Sequence, residues 1–433
     1  MKFLDPNATP IMVVAAVLSF WIIRIPVFPT SMDNVRNFLR HPLLYLLSPL
    51  IVLGLFDYIF QLFHTYDWNR PFTKLICFSA LFTGVLYLTR SRKELLLPRY
   101  VYVIELLVCG GLLLSVLWSL KMRHYPHLWD PPIVDIGATT QQAAQMLFAH
   151  FQNPYQSPTL NIMLPQPGYG GFKYGPIMIL GYLPSAFFPE SGYKMMSALY
   201  LLLSLVCLCY LTWQRGFILA RNLATVVFVV TLTLLPERVG HELFVVGAND
   251  ILPIFLLLLS IVFLKRNNDF CAGLLAGLSF SAKFSPAIFF IALLVRKEFR
   301  GKFFLGVGLG VLPNLFFLAW DYRSFLRNVF LFNAVKIYDS TSLYSITPKP
   351  LHFVFSLIQV GACLGFFARN VFRRPEVMEL ITSFILLLTI IEATYRQVHA
   401  NHLIWFIPFL ALILGVNRYG GSGRWGRSVE KRS

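Results

Sequence analysis

The sequence predicts an all-α polytopic membrane protein with about 11–13 membrane segments. Of its 433 residues, 57% are hydrophobic and only 13% are charged, whereas a soluble domain carries about 25% charged residues. Apolar runs long enough to cross the roughly 30 Å hydrocarbon layer recur along the chain, for example at residues 43–63, 101–120, 195–213 and 303–320. The helices of such a chain meet through close packing, small residues and occasional polar contacts.

The net charge of +17 could suit a nucleic-acid-binding protein, but the basic residues do not form one surface. They occur in short clusters between apolar runs, such as residues 90–93 and 373–374. Clusters in this position orient membrane segments and contact anionic lipids. We therefore expect membrane lipids, and no nucleic acid, as partners. The six cysteines lie in or beside apolar runs without zinc spacing, so no disulfide framework is predicted.

Three parts are predicted along the chain. Residues 1–120 form leading transmembrane helices, residues 121–416 form a catalytic transmembrane region with a large outer loop at 121–174, and residues 417–433 form a basic cytoplasmic tail. Basic loops mark the cytoplasmic side. They place the other loops on the extracytoplasmic side, at residues 121–174, 237–250, 321–350 and 395–402.

The outer loop contains a polar stretch, residues 129–158, in a mostly apolar chain. Thr139-Thr140-Gln141-Gln142 has the spacing of a capping box, and apolar residues then recur on one helical face from Ala144 to Phe151. This pattern predicts an amphipathic helix along the membrane surface. The following "NPYQSP" should end the helix, because proline cannot continue it.

Two further segments are irregular. Residues 175–188 are too short and too rich in proline to span a membrane, so we expect a re-entrant or interfacial segment. In residues 271–295, apolar halves of about a dozen residues flank Lys283 and Pro286, and each half is too short to span alone. This pattern predicts a pair of short helices or one broken helix. Lys283 is then expected near the outer turn, where it can face water or an anion.

Candidate functional groups collect in the outer loops. Carboxylates and cations on one aqueous face suit glycosyl transfer from a phosphate-linked donor, because a carboxylate can deprotonate the acceptor and cations can stabilise the departing phosphate. The candidates are Asp130, Asp135, Lys173, Tyr174, Asp250, Arg396, His399 and His402.

Each candidate also has a structural interpretation. Asp135 could be a turn or cap residue, Asp130 a structural residue, and Asp250 a helix N-cap. Lys173 and Tyr174 could be interface anchors, and Lys283 could extend toward the headgroups. The i, i+3 pair His399 and His402 is a weak metal signal without a placed carboxylate. The outer charges Glu237, Arg238, His241 and Glu242 suit a solvated patch.

The ordered series "VDIGATTQQAAQMLFAHFQNPYQ", "GFKYGP" and "GANDILP" to "LLAGLSFSAKFSP" resembles the integral-membrane glycosyltransferases of the GT-C superfamily. The similarity covers roughly residues 101–300. The most similar branch is that of the bacterial polyprenyl-phosphate-mannose-dependent mannosyltransferases of family 87. There are departures: "WDPPIVD" replaces the Asp-x-Asp of metal-dependent oligosaccharyltransferases, "KYGP" replaces Tyr-Pro-Pro, and four segments precede residue 121 instead of one.

The resemblance implies roles for individual residues. Asp135 takes the place of the loop aspartate that acts as base, and Asp250 matches the second acidic position. Lys173 resembles a lysine that contacts the lipid phosphate in related aminoarabinose transferases. The donor phosphate would be met by Lys173, Tyr174, Lys283, Arg396, His399 and His402.

The sequence thus predicts an inverting hexosyltransferase of the bacterial cell membrane, with mannose as the first expected sugar. It would use a polyprenyl-phosphate sugar donor and an extracytoplasmic glycan or lipid-linked acceptor. No metal and no cofactor is predicted. Two alternatives remain at this point: a transporter or flippase of lipid-linked saccharide, which would share broken helices and intramembrane cations, and a non-catalytic assembly subunit.

Overall fold

A computed structural model describes residues 125–132, 135–158, 160, 170–188, 190–213, 219–234, 237–294, 300–332, 348–373, 377–395 and 400–418. In these ranges the regular structure is helical and no strand occurs, which confirms the predicted all-α membrane fold. The leading helices predicted for residues 1–120, and the tail beyond residue 418, lie outside the described residues.

The helices of the described ranges are numbered in chain order. They are α1 (Asp135–His150), α2 (Pro176–Gly181), α3 (Gly192–Thr212), α4 (Leu219–Leu234), α5 (Glu237–Gly240), α6 (Ile251–Lys265), α7 (Asp269–Ala282), α8 (Phe284–Leu293), α9 (Arg300–Trp320), α10 (Tyr322–Leu326), α11 (His352–Arg373), α12 (Val377–Thr394) and α13 (Ile407–Arg418). Short 3₁₀ turns cover Tyr125–Leu128, Pro154–Gln156, Leu183–Phe187, Lys349–Leu351 and Ala400–Trp405, and π-helical turns cover His241–Val246 and Arg327–Leu331.

Three of these helices are long and apolar enough to cross a membrane: Gly192–Thr212, Gly301–Trp320 and Lys349–Phe372. Shorter apolar helices, among them α6, α7 and α8, pack between them. Bulky apolar side chains of α11, such as Phe353 and Leu364, are exposed. A helix that is apolar on its exposed face suits contact with lipid rather than water.

The connecting segments gather at two ends of the helix bundle. We call the end that holds Asp250 and Lys283, whose side chains are in contact, the upper end. At the opposite, lower end, Nζ of Lys265 at the end of α6 donates to the carbonyl oxygen of Leu211 at the end of α3, at 2.9 Å. The lower end therefore carries the basic pair Lys265 and Arg266.

Helices α7 and α9 pack through facing glycines. In α7 these are Gly273 and Gly277, and in α9 they are Gly306 and Gly310. A Cβ added at any of the four would lie 2.0–2.5 Å from a backbone oxygen of the other helix. Small residues spaced four apart let helix backbones approach closely in membranes, where dispersion contacts rather than water drive association. This contact fixes the end of α7, and with it Lys283, relative to α9.

The break after α7 matches the sequence prediction. Helix α7 ends at Ala282, Lys283 has extended backbone angles (φ −147°, ψ 112°), and α8 begins at Phe284. Both helices are shorter than the roughly 20 residues that a membrane crossing needs. The sequence therefore predicted the position of this break correctly from the charge of Lys283 and the nearby Pro286.

Helix α1 departs from the sequence prediction at its start. It begins at Asp135, four residues before the predicted capping box at Thr139, so that prediction was wrong. The hydroxyl groups of Thr139 and Thr140 instead donate to the carbonyl oxygen of Ile136 inside the helix, at 3.2 and 2.7 Å. Threonine makes such bonds to preceding carbonyls within helices, so its presence does not mark a start.

The end of α1 and the next segment agree with prediction. The helix ends at His150, just before "NPYQSP", and Phe151 has a left-handed φ of 52°. Residues 175–188 form only α2 and the 3₁₀ turn Leu183–Phe187, of 6 and 5 residues. At about 1.5 Å per residue, neither can cross the hydrocarbon layer.

The glycine contact between α7 and α9 can be tested with a matched pair on one helix. Gly310→Ala should lower the free energy of unfolding by about 1–3 kcal/mol, because the added Cβ forces two backbones apart. Gly308→Ala should be neutral, since nothing lies within 4 Å of its added Cβ. Thermal unfolding of the purified proteins in detergent measures both. Equal shifts for the two variants would show that close backbone approach does not hold these helices together.

Candidate active site

The candidate site is built around Asp250, which ends the turn between α5 and α6. The π-helical turn before it ends at Gly247, whose φ of 88° lies in the left-handed region that glycine adopts without strain. A Cβ at Gly247 would also lie 2.7 Å from the Cβ of Pro132. This turn fixes Asp250 immediately ahead of α6, with the residue fully buried at 0% exposure.

The Asp250 carboxylate joins distant parts of the chain. It makes no capping hydrogen bond to α6, so the N-cap interpretation of its side chain was wrong. Its Oδ1 instead contacts Nζ of Lys283 and accepts a hydrogen bond from Nε1 of Trp405 at 2.6 Å. Hydrogen bonds to an ionised carboxylate are about twice as strong as neutral ones. The break after α7 and the turn before α13 are therefore both tied to the start of α6.

Lys283 is less buried than its partner. Its side chain is 19% exposed, whereas that of Asp250 is 0% exposed. A lysine at the level of apolar helices is costly unless a carboxylate compensates its charge. Asp250 therefore stabilises the charged lysine from the more buried side of the pair.

Tyr174 lies next to this lysine because the segment before α2 rests on the end of α7. The backbone N–H of Gly175 donates to the carbonyl oxygen of Ala282 at 3.1 Å. A Cβ at Gly175 would lie 2.0 Å from the carbonyl oxygen of Ser281, so only glycine allows this approach. As a result, Nζ of Lys283 lies 5.8 Å from the centroid of the Tyr174 ring.

Lys173 lies against the same aromatic ring. Its Nζ is 5.7 Å from the centroid of the Tyr174 ring and 5.9 Å from that of Phe332. Both distances fall within the roughly 6 Å at which a cation is attracted to the face of an aromatic ring. Lys173 and Lys283, which are 110 positions apart in the numbering, thus share one tyrosine at the upper end.

The "NPY" segment holds Tyr174 in place. The Tyr155 hydroxyl donates to the carbonyl oxygen of Tyr174 at 2.9 Å. Asn328 in turn holds Tyr155, because its Nδ2 donates to the Tyr155 carbonyl oxygen at 2.9 Å and its Oδ1 accepts from the Gly171 N–H at 3.2 Å. Asn328 was not identified from the sequence, because an isolated asparagine after a long apolar helix carries no recognisable motif.

His402 lies in the 3₁₀ turn that carries Trp405. Its Nδ1 lies 2.7 Å from Oε2 of Glu392, at the end of α12. It lies three residues before Trp405, whose Nε1 donates to the Asp250 carboxylate. His402 is therefore part of the same cluster, whereas Glu392 was not identified from the sequence.

Helix α1 brings Asp135 to this cluster. A Cβ added at Gly137, in the first turn of α1, would lie 2.8 Å from the carbonyl oxygen of Gly247 and 2.9 Å from Cε1 of Tyr193. One turn later, Nδ2 of Asn249 donates to Oγ1 of Thr140 at 3.3 Å. The first turn of α1, which begins with Asp135, is therefore packed on the turn that ends with Asp250.

The residues of this cluster lie in a part of the chain that matches a known protein family. The model of glycosyltransferase family 87 matches residues 172–402, more than half of the chain, and this range includes Lys173, Asp250, Lys283 and His402. The chain belongs to glycosyltransferase family 87. No curated protein and no solved structure matches the chain. The resemblance seen in the sequence is confirmed. The protein is a glycosyltransferase, and this conclusion replaces the transporter and assembly-subunit alternatives.

In this family 87 transferase, six of the candidate residues have described side chains, and five of the six form the cluster at the upper end: Lys173, Tyr174, Asp250, Lys283 and His402. The backbone of Asp135 joins them through α1. Arg396 and His399 lie outside the described residues. Asp130 is exposed, and its Oδ2 lies 3.2 Å from Nδ1 of His127.

One surface prediction for the transferase was wrong. Glu242 was expected in a solvated patch, but it is buried at the upper end. Its carbonyl oxygen accepts hydrogen bonds from the N–H groups of Gly247 and Ala248, at 2.9 and 2.8 Å. These bonds close the turn that positions Asp250, so the segment has a structural role that its charge pattern did not indicate.

The outer loop is also joined to α10 through Asp321. Hydrogen bonds lower the pKa of Asp321 to about 2, the largest effect coming from the Ser324 side chain and the next from Gln156. Nε2 of Gln156 donates to Oδ2 of Asp321 at 2.9 Å. Because the folded pKa lies below the ordinary 3.8, the charged carboxylate supports this contact above pH 3.8 and ceases to do so as the pH falls toward 2.

The pair of Asp250 and Lys283 yields a stability prediction. Asp250→Asn should lower the free energy of unfolding by about 2–4 kcal/mol, because it leaves the lysine charge without its buried carboxylate. A lost helix cap alone would cost about 1 kcal/mol. Adding Lys283→Met to Asp250→Asn should recover much of the loss. A four-variant cycle of thermal unfolding measures the coupling, and strictly additive effects would contradict a mutual pair.

Proposed function

We propose that this transferase moves a hexose, with mannose as the first expected sugar, from a polyprenyl-phosphate donor to an extracytoplasmic acceptor with inversion at the sugar carbon. One observation carries the proposal: the helix turn that begins with Asp135 packs on the turn that fixes Asp250, and Asp250 pairs with Lys283 beside Tyr174. A candidate base and candidate phosphate-binding cations are thereby brought to one end of the bundle.

The cations suit a lipid phosphate as leaving group. Negative charge grows on the phosphate oxygen as the glycosidic bond breaks, and fixed positive groups at that position lower the barrier. Lys283 and Lys173 supply positive charge among the described residues, and His402 lies in the same cluster. Arg396 and His399 precede His402 in the sequence. The lysines sit against an aromatic ring, which restricts their motion without neutralising them.

The reaction is a single displacement. The acceptor oxygen forms a bond to the anomeric carbon while the bond from that carbon to the phosphate oxygen breaks. Asp135 takes the proton of the acceptor hydroxyl, and polyprenyl phosphate leaves. No covalent sugar-enzyme intermediate forms, so the configuration at the anomeric carbon is inverted.

The positions of the basic residues support an extracytoplasmic location for the upper end. The lower end carries Lys265 and Arg266, and the basic segments at residues 296–302 and 369–374 flank the same ends of α8, α9, α11 and α12. Basic loops remain in the cytoplasm. The upper end, with the proposed catalytic groups, then faces the opposite, extracytoplasmic side.

The role of the base is tested first. Asp135→Asn keeps the size of the side chain but cannot take a proton, so turnover should fall on the order of 100- to 10,000-fold. Asp130→Asn is the matched control in the same loop and should be mild. Release of free polyprenyl phosphate from a panel of polyprenyl-phosphate sugars measures both at equal protein amounts. Substantial activity in Asp135→Asn would show that another residue is the base.

The role of Lys173 is tested by comparing a substitution that removes its positive charge with one that keeps it. Lys173→Ala should weaken use of the donor by about 10-fold or more, whereas Lys173→Arg should keep part of it, because the phosphate requires a positive charge. Steady-state kinetics with varied donor concentration measure the difference. If Lys173→Ala has wild-type donor kinetics, Lys173 is an interface anchor only.

A further inference from the structure

The contact between α7 and α9 continues beyond the glycines into a pair of polar side chains. The spacing of four residues is kept on both helices, because Ser281 follows Gly277 on α7 and Asn314 follows Gly310 on α9. Nδ2 of Asn314 donates to Oγ of Ser281 at 2.6 Å. This contact lies in the last turn of α7, immediately before the break at Lys283.

The Ser281 hydroxyl is bound to α9 in two ways. Its Oγ donates to the carbonyl oxygen of Gly310 at 2.8 Å, and it accepts from Asn314. Nδ2 of Asn314 also donates to the carbonyl oxygen of Val311 at 3.1 Å. A hydroxyl group has one proton to donate and lone pairs to accept with. Ser281 therefore uses its donor on the backbone of α9 and an acceptor site on a side chain of α9.

These hydrogen bonds restrict α7 in a way that the glycine contacts do not. Glycines let two helices approach closely, but the dispersion contacts that result have no strong directional preference. Hydrogen bonds weaken steeply when the angle or the distance departs from its preferred range. Ser281 and Asn314 therefore fix how far α7 can slide or rotate along α9 at the end that carries Lys283.

Stability alone is a poor explanation for this polar pair. Ser281 is 0% exposed and Asn314 is 7% exposed, although α9 is otherwise apolar enough to cross a membrane. Oδ1 of Asn314 is buried and has no hydrogen-bond partner in the part of the chain that the structure describes. An unpaired buried acceptor lowers stability, and hydrogen bonds between membrane helices contribute little on average. The arrangement favours a role in placing the end of α7.

Two elements of the candidate site depend on this end of α7. Lys283 follows its last residue, Ala282. The carbonyl oxygen of Ala282 accepts from the N–H of Gly175 at 3.1 Å, so the segment that carries Tyr174 rests on the same turn. A shift of this turn would therefore move Lys283 and the aromatic ring beside it.

We propose that Ser281 and Asn314 are positioning residues that place Lys283 for the phosphate of the lipid donor. This inference rests on the proposed function, because it assumes a phosphate-linked donor at the upper end. Neither residue touches the donor. Both act through Lys283, since they hold the last turn of α7 against α9, and a displacement of about 1 Å at a site can lower a rate about 100-fold.

The test uses two variants and a matched control. Asn314→Leu removes the amide at similar volume, and Ser281→Ala removes only a hydroxyl, so it tests the same contact with a smaller change. Ser260→Ala is the control, because Oγ of Ser260 also donates to a buried carbonyl oxygen, that of Ala272 at 2.8 Å, at the other end of α7. The readouts are the dissociation constant for a short-chain polyprenyl phosphate, kcat and KM for the sugar donor, and thermal unfolding.

Ser281→Ala and Asn314→Leu should each weaken polyprenyl phosphate binding about 10-fold and lower kcat/KM by about 10- to 100-fold, because the cation is misplaced. Ser260→Ala should lower the unfolding temperature about as much as Ser281→Ala but bind as wild type does. If a folded Ser281→Ala or Asn314→Leu protein binds as wild type does, or if Ser260→Ala loses as much binding, the inference is wrong.

A second comparison determines whether the effect passes through Lys283. The double variant Asp250→Asn with Lys283→Met removes the charge pair as a unit. Adding Asn314→Leu to it should change polyprenyl phosphate binding by less than about 3-fold, whereas its effect on the unfolding temperature should persist. If the full loss of about 10-fold in binding still appears, Asn314 does not act through Lys283 and the inference is wrong.

Failure of the proposed function gives a different result. If wild type binds polyprenyl phosphate but releases none from any sugar donor, the proposed transfer reaction is wrong, and the binding series still decides the roles of Ser281 and Asn314. If wild type releases polyprenyl phosphate while the variants bind and react as it does, only the inference is wrong. If wild type does not bind polyprenyl phosphate, the inference is wrong as well.

Discussion

The upper end of this transferase depends on one buried contact, the pairing of Asp250 with Lys283. Removing two charges from water is unfavourable, and only their mutual attraction and added hydrogen bonds offset the cost. Trp405 supplies one such hydrogen bond to the carboxylate. Because these three residues come from different connections between helices, the electrostatic requirement of one pair fixes where α6, α8 and α13 begin.

Glycines allow the close backbone contacts that bring these residues together. Gly273 and Gly310 let α7 and α9 approach until backbone atoms touch, and Gly175 lets the loop before α2 rest on the end of α7. Each contact leaves no room for a Cβ. Small residues therefore bring the polar side chains together at the upper end, since packing of this kind, rather than exclusion of water, drives helix association in a membrane.

The sequence predicted those site residues that stand out from their immediate neighbours in the chain. Lys283 interrupts an apolar run and Asp250 precedes one, so both were identified from their neighbours, as was the break between α7 and α8. Trp405 and Glu392 were missed because their roles depend on contacts with residues distant in the chain, and neither stands in a motif. The start of α1 was misplaced because threonine inside a helix can imitate a cap.

The pairing of Asp250 with Lys283 would also allow the proposed phosphate site to exist beside lipid. An unpaired lysine cation at the membrane would be expensive, and an exposed acid beside it would repel an anionic donor. Placing the acid on the more buried side of the pair stabilises the cation. The proposed base, Asp135, enters on a separate helix, α1. The first turns of that helix pack on the turn that ends with Asp250, so neighbouring segments hold the proposed base and the buried acid.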